Sequence, residues 1–194
     1  MASSVFLSLP KEKQELVVAS ALKEFSSQPY DKVSVFQIAK RAGISRAAFY
    51  SYFTDKQDVY RHIINSIFKG FWDSVAAKGG ADITELALVM FDFFYRFKFT
   101  KTQDFITQLV ANAKPDTMEV FLAFVSKDKA KYIAQETVER TRIRNDAELL
   151  DVCTLMATAA IYSLKEYYDS DMDPRTVRDR LERKVMFLTF GLVD

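Results

Sequence analysis

With 194 residues, 27 Lys+Arg against 26 Asp+Glu and a net charge of +1, the chain is sized for one or two domains and is not coated in one sign of charge. Five Gly and four Pro fall far below the average usage of about 7% and 5%, which argues against sandwiches, propellers and disordered tails and for long helices. One Cys and one His exclude a disulfide framework and leave no multi-Cys or His-based metal site.

No signal peptide is expected, because Met1 to Pro10 has no basic stretch ahead of its short apolar run. The longest stretch without a charge, Val152 to Leu164, is 13 residues, short of the roughly 18 or more that a membrane helix needs. The expectation is an all-α, cytoplasmic chain with no membrane partner, metal or cofactor. Breaks at Pro29 to Asp31, Gly43, Gly79-Gly80, Asn112 to Pro115, Asn145 and Asp169 to Pro174 divide it into about nine helices. The Gly79-Gly80 pair marks a boundary between a short N-terminal unit and a larger helical body.

The first helix runs from about Lys11 to Ser26, with Val18, Ala21, Leu22 and Phe25 on one face and Lys11, Glu12, Lys13 and Glu15 in water. Three helix starts follow between residues 33 and 60. Ser34 with Gln37 reads as a capping box and opens a short helix that turns Val35, Ile38 and Ala39 inward and ends at Gly43. Ser45 caps the next helix at once, with Ile44 and Phe49 spaced as a hydrophobic staple, and Thr54 with Gln57 repeats the capping box for a third. Two short helices joined by a Gly-containing turn make a helix-turn-helix, whose second helix enters the major groove in DNA readers. Here that helix is Ser45 to Tyr52, anchored by Ala48 and Phe49, with Ser45, Arg46, Ala47, Tyr50, Ser51 and Tyr52 facing outward. The same geometry occurs in plain helical hairpins, so on geometry alone both readings stand.

The stretch Ile38-Ala39-Lys40-Arg41-Ala42-Gly43-Ile44-Ser45, then Phe49-Tyr50-Ser51-Tyr52-Phe53 and Asp55-Lys56, resembles the DNA-binding region of the TetR-type (tetracycline-repressor-like) transcriptional regulators. The resemblance covers about 50 residues, from Leu9 to about Arg61. It implies that Tyr50 and Lys56 meet phosphates. A lysine at a helix N-terminus opposes the dipole, and a nearby phosphate would account for it. Arg46 is the candidate for base readout, since Arg pairs with guanine through two hydrogen bonds, or it is a phosphate clamp. Ala47 suits a thymine methyl, and Tyr52 stands where many relatives carry His. Ser34 has its cap role and a possible phosphate, and Phe36 faces either DNA or the core. Residues 1 to 60 hold eight Lys/Arg and six Asp/Glu, so DNA binding would rest on placed contacts and two half-sites rather than a broad basic footprint.

The third helix continues from about Asp55 to Lys78 with Val59, Ile63, Ile67 and Phe71 inward. By resemblance it joins the DNA-binding unit to the body and transmits ligand occupancy. Ile83 to Phe99 reads as one helix, apolar nearly all round, and seven of the fifteen residues from Phe91 to Phe105 are aromatic. Such a helix serves as core or as the wall of a ligand pocket. Candidate effector contacts are Trp72, Met90, Phe94, Phe105, Met118, Phe121 and Phe124, with Asp92 and Glu119 as polar companions. Val152 to Leu164 is apolar on every face, and the last helix carries Val177, Leu181, Val185, Leu188 and Leu192 at spacings of four, four, three and four. The pair suits a surface completed by a second copy, and the resemblance implies a four-helix dimer interface. Val152, Met156, Ala160, Leu164, Val177, Leu181, Val185 and Leu188 are its candidate residues.

No Gly-rich phosphate loop, nucleophile elbow or zinc motif is present, so an enzyme is not expected. The expectation is therefore a helix-turn-helix DNA-binding domain over 1–56 and a helical ligand-binding and dimerisation domain over 57–194. The function implied is a ligand-responsive, homodimeric transcriptional repressor. Double-stranded DNA carrying a near-palindromic operator and a small apolar or aromatic effector are the partners. The rival is an adaptor or structural protein that keeps the helix-turn-helix without specific DNA binding.

Overall fold

A computed structural model of the chain describes residues 2–111 and 132–190. Among them are ten α-helices, two 3-10 turns and no strand, with one isolated bridge between Ala81 and Ile133. The described residues fall into two compact units. The first takes 2–67 with 101–111, and the second takes 68–100 with 132–190.

The first unit holds α1 (Ser4–Leu7), α2 (Lys11–Ser27), a 3-10 turn (Tyr30–Lys32), α3 (Val35–Arg41), α4 (Arg46–Tyr52), the start of α5 (Lys56–Ala76) and α7 (Gln103–Ala111). Helix α2 packs against α3 and α7, and α1 and α3 pack against α4. The inner face of α2 is set about one residue from the expected one. Val17, Ser20, Ala21, Glu24 and Phe25 are buried, and Val18 and Leu22 lie at the margin. A carboxylate is tolerated on that face because both oxygens of Glu24 are engaged. Arg41 Nε and Nη2 donate to Oε1 at 3.0 and 2.8 Å, and Gln28 donates to Oε2 at 3.4 Å. A buried charge with its partner and hydrogen bonds in place avoids the cost of bare desolvation. Phe25, Tyr30, Tyr60 and Phe105 form an aromatic chain, with Tyr60 4.8 Å from Phe25 and 5.8 Å from Phe105.

The second unit holds the end of α5, α6 (Leu86–Phe94), a 3-10 turn (Tyr95–Phe97), α8 (Gln135–Val138), α9 (Asp146–Tyr168) and α10 (Pro174–Thr189). The helix expected over 83–99 is shorter. It ends at Phe94, tightens into the 3-10 turn, then leaves helical space at Lys98 and takes a left-handed φ of 74° at Phe99. No Gly or Pro announces that end. Tertiary bonds accompany it: Lys98 Nζ donates to the carbonyls of Tyr167 and Ser170 at 2.8 and 2.7 Å, and Tyr168 Oη donates to the Phe94 carbonyl at 3.0 Å.

Gly79-Gly80 lies inside the second unit rather than at its border. Gly80 has a φ of 111°, and a Cβ there would meet the Tyr132 carbonyl oxygen at 3.1 Å, so the backbone approach excludes a side chain. That approach lets Ala81 exchange hydrogen bonds with Tyr132 and Ala134, both at 2.9 Å.

By length and composition α9 could cross a bilayer. In this fold it packs against α6 and α10 and buries Leu149, Val152, Cys153, Met156, Ala157, Ala160, Ile161, Ser163, Leu164 and Tyr167, which is the pattern of a core helix. Asn145 caps it by accepting from the Ala147 and Glu148 N–H groups, each at 3.0 Å. Asp173 caps α10 ahead of Pro174, which fits the first helical position.

Candidate nucleic-acid interface

The α3–α4 corner follows from three local features. Ser34 Oγ accepts from the Phe36 N–H at 3.2 Å and opens α3. At the other end Gly43 takes a φ of 64°, its N–H donates to Lys40 and the Ile44 N–H donates to Ala39. This is the paired closure that a left-handed residue makes possible just past a helix. A Cβ on Gly43 would have open space, so the dihedral alone asks for glycine. Ser45 Oγ then accepts from the Ala48 N–H at 3.0 Å and starts α4. Phe49, on the inner side of α4, is fully buried, with its ring 5.8 Å from that of Phe53.

Helix α4 presents Ser45, Arg46, Ala47, Tyr50 and Ser51 to solvent. Arg46 and Tyr50 sit one turn apart, with Nη2 3.4 Å from the Tyr50 Oη and the guanidinium 5.6 Å from the ring centre. This pair presents a cation and a phenol side by side. Ser51 turns its hydroxyl back to the Ala48 carbonyl at 2.7 Å. Tyr52 corrects the outward assignment: it is 6% exposed, with its ring 5.9 Å from Phe6 of α1. Phe36, left open between DNA and core, is 56% exposed at the start of α3. Ser34 is exposed beside it.

Lys56 has a structural engagement that its sequence position did not suggest. Its Nζ donates to the carbonyls of Tyr30, Asp31 and Val33 at 3.0, 3.3 and 3.3 Å and lies 4.6 Å from the Tyr30 ring centre. Three carbonyls thus lie within hydrogen-bonding distance of an ammonium that has three donors. The cap of α5 also differs from the Thr54–Gln57 expectation. Asp55 Oδ1 accepts from the Asp58 N–H at 2.8 Å, and Asp58 Oδ2 accepts from the Thr54 N–H and hydroxyl at 3.2 and 3.0 Å. The capping side chain is that of Asp55, one residue on, and Asp58 reaches back past it to Thr54. Two carboxylates in the first turn suit the positive end of the helix better than an amide does.

Sequence reasoning missed Ser3 and Phe6. Ser3 donates to the Tyr52 and Ser51 carbonyls at the end of α4, and Phe6 is fully buried against Tyr52, Phe53 and His62. One helical turn is too short for periodicity to reveal. The available signal was a Ser three residues ahead of an aromatic in a short apolar run.

Of the effector candidates, Trp72, Met90 and Phe94 are buried in the second unit. Trp72 stacks on Tyr132 at 5.3 Å, and Phe94 meets Phe68 edge-on at 5.3 Å. Phe105 belongs to the first unit, where it packs on Tyr60. Met118, Phe121 and Phe124, like Glu119, lie outside the described residues. Asp92 is paired with Arg178, whose Nε and Nη2 donate to its two oxygens at 2.9 and 3.1 Å.

The expected interface residues need a correction. Val152, Met156, Ala160, Leu164, Val177, Leu181 and Val185 are all buried within one chain, where α6, α9 and α10 pack together. Of that set only Leu188 is exposed, and Leu192 is outside the described residues. The large apolar side chains that remain exposed are Leu150, Leu155 and Tyr162 of α9 and, with Leu188, Met186, Phe187 and Phe190 at the end of α10.

Among the described residues no group of three or more His, Cys, Asp or Glu side chains is placed to hold a metal ion. Burial pushes the Cys153 thiol up to about 11, which keeps it protonated and unreactive.

Residues 17–63 match the family model described as bacterial regulatory proteins, tetR family. The match starts in α2 and ends in α5, enclosing the α3–α4 corner. Over 55 residues, 28% of this chain and 19% of the relative, the sequence is 42% identical to YuxN, an uncharacterized HTH-type transcriptional regulator of Bacillus subtilis (strain 168). Over 51 residues, 26% of this chain and 22% of the relative, it is 37% identical to the HTH-type transcriptional regulator HbdR of Aromatoleum sp. (strain CIB). The chain thus matches about a fifth of the length of each. Beyond that segment the likeness is one of fold. A TetR-like transcriptional regulator from Rhodococcus sp. RHA1 superposes with a TM-score of 0.61 at 18% identity, covering 94% of this chain and 99% of that one.

Proposed function

We propose that the chain is a regulator of the TetR family, a ligand-responsive repressor that binds DNA as a homodimer in the bacterial cytoplasm. The observation that carries this reading is the outer face of α4. A short helix, capped and anchored by Phe49 on one side, offers Ser45, Arg46, Ala47, Tyr50 and Ser51 together on the other. In helix-turn-helix proteins the start of this helix meets the base edges. Arg46 is assigned to base readout, worth roughly 1–3 kcal/mol of discrimination where it bonds a guanine through both nitrogens. Tyr50 is assigned to a phosphate, Ala47 to a thymine methyl, and Ser34, Ser45 and Ser51 to the flanking backbone. Phe36 joins the interface as an exposed apolar neighbour. Lys56 is reassigned to holding the turn at residues 30–33, and Tyr52 to the core.

In this reading residues 1–56 read DNA and 57–194 serve the effector and the second copy. A small apolar or aromatic effector is assigned to the second unit, where Trp72, Met90 and Phe94 are its expected contacts. Helix α5, which contributes residues to both units, is the element whose shift would report occupancy. A two-fold dimer through the outer faces of α9 and α10 would set two copies of α4 about 34–36 Å apart or somewhat more, and so require a near-palindromic operator. The effector's preference for one of two states sets the size of the response.

The test is selection of random duplex DNA by the purified chain at near-physiological salt. A two-fold symmetric winner is expected, and Arg46→Ala should lose preference at one position of each half-site by about 10- to 100-fold. Unenriched DNA from a folded dimer, with and without a small-molecule extract, would overturn the reading.

A further inference from the structure

We propose that the segment Ser3 to Phe6 is a clamp that fixes the attitude of α4, making Ser3 and Phe6 positioning residues for DNA reading. The inference rests on the reading of α4 as the recognition helix. It starts from a weakness of that helix. Seven residues make two turns, and a helix that short does not hold itself together in water. Its last carbonyls also have no partner within the helix.

Ser3 supplies two of the missing partners. Its N–H donates to the Tyr52 carbonyl at 3.0 Å, and its Oγ donates to the Ser51 carbonyl at 2.7 Å. The same Oγ accepts from the Phe6 N–H at 3.2 Å and caps α1. One residue therefore closes α4 and opens α1, so the placement of Phe6 is tied to the end of α4. Phe6 is fully buried, with its ring 4.7 Å from Phe53, 5.9 Å from Tyr52 and 5.5 Å edge-on from His62 of α5. The clamp thus joins the end of the recognition helix to α5 through one aromatic ring. It also accounts for Tyr52 turning inward, since Phe6 gives it an apolar surface to cover.

The consequence is specific to sequence reading. Contacts to base edges need a fixed helix, whereas attraction to phosphates tolerates small rotations and carries no sequence information. Loosening the clamp should therefore lower affinity for the operator and leave affinity for random DNA unchanged.

The test uses the full chain with Phe6→Leu and Ser3→Ala, and Ser3→Thr as the conservative variant that restores the hydroxyl. Two readouts are taken: amide hydrogen exchange across residues 46–53, and affinity for selected operator and random duplex over a range of salt. Both disruptive variants are expected to melt cooperatively and to exchange the amides of Tyr50 to Phe53 about tenfold faster. Their operator-to-random affinity ratio should fall by about five- to tenfold with an unchanged salt slope, the mark of lost base contacts rather than lost phosphate contacts. Ser3→Thr should recover both. Unchanged exchange in α4, or an equal loss on operator and random DNA, would overturn the clamp. If the parent itself selects no sequence, the reading of α4 fails separately. The clamp is then decided by exchange alone, faster exchange upholding it and unchanged exchange rejecting it.

Discussion

Replacing Lys56 by methionine isolates the work of its ammonium, because the methionine stem preserves the apolar packing of the side chain. Three carbonyls lose their donor: those of Tyr30 at 3.0 Å, and of Asp31 and Val33 at 3.3 Å. A well-formed hydrogen bond to a charged group contributes roughly 1.5–3 kcal/mol. One good bond and two long ones, partly open to water, come to about 2 kcal/mol on that scale. The ammonium also sits 4.6 Å from the Tyr30 ring centre, which adds about 0.5–1 kcal/mol at a partly exposed site. The expected loss is about 2.5–3 kcal/mol, or about 5–12 °C in Tm for a chain of this size. Calorimetric melting of Lys56→Met measures it, and DNA binding against salt is the companion assay. A Tm within about 2 °C of the parent, with the salt slope smaller by about one, would refute the structural role and return Lys56 to a phosphate.

Arg41→Met should destabilise the chain by about 3 kcal/mol in chemical denaturation, because Glu24 stays buried without its guanidinium; the double variant Glu24→Leu/Arg41→Met should recover most of that, and equal losses in single and double would refute the pairing. Burial holds the His62 imidazole below its usual value, against the pull of the Asp58 carboxylate. The folded chain therefore takes up that proton less readily than the unfolded one. The contribution of His62 is complete above the ordinary histidine range and is lost as pH falls through it. His62→Leu should show a smaller drop in Tm between about pH 7.5 and about pH 5.5 than the parent, and an equal drop would reject the assignment. Phe187, 75% exposed, should change monomer stability by less than about 0.5 kcal/mol on mutation to alanine while weakening self-association in sedimentation. Leu181→Ala, at a fully buried position, should cost about 2–5 kcal/mol. If the Phe187 variant sediments as the parent does, the outer face of α10 is not the dimer face.

The α3–α4 corner was legible because its signals are local. A serine two or three residues ahead of an N–H, a glycine where φ must be positive and an apolar residue on the inner side each act within one turn. Gly43, Ser45 and Phe49 hold the places their positions predicted, and Ser34 caps α3 through the Phe36 N–H rather than in the box expected with Gln37. What escaped depends on partners far along the chain. Tyr52 turns inward because Phe6 lies 46 positions earlier, Lys56 is drawn to carbonyls 23 to 26 residues back, and Glu24 is buried because Arg41 reaches it from 17 residues on. No pattern within a window of one helix contains that information.

The helical stripe on α10 shows the same limit. Val177, Leu181 and Val185 recur every four residues, and periodicity correctly marks them as a face removed from water. Periodicity does not say whose surface removes it. In this chain α6 and α9 do, within one unit. A regular stripe is what a helix needs to join its own core. What would be left for a second copy is the remainder that the core did not take: Leu150, Leu155, Tyr162, Met186, Phe187, Leu188 and Phe190, of which only Leu188 belongs to the stripe. On a two-fold axis each of these would meet a symmetry-related patch, so a few large side chains suffice without a repeat. The partner surface of a helical chain is therefore better sought among the large apolar residues that its core leaves exposed than among the stripe residues that it buries.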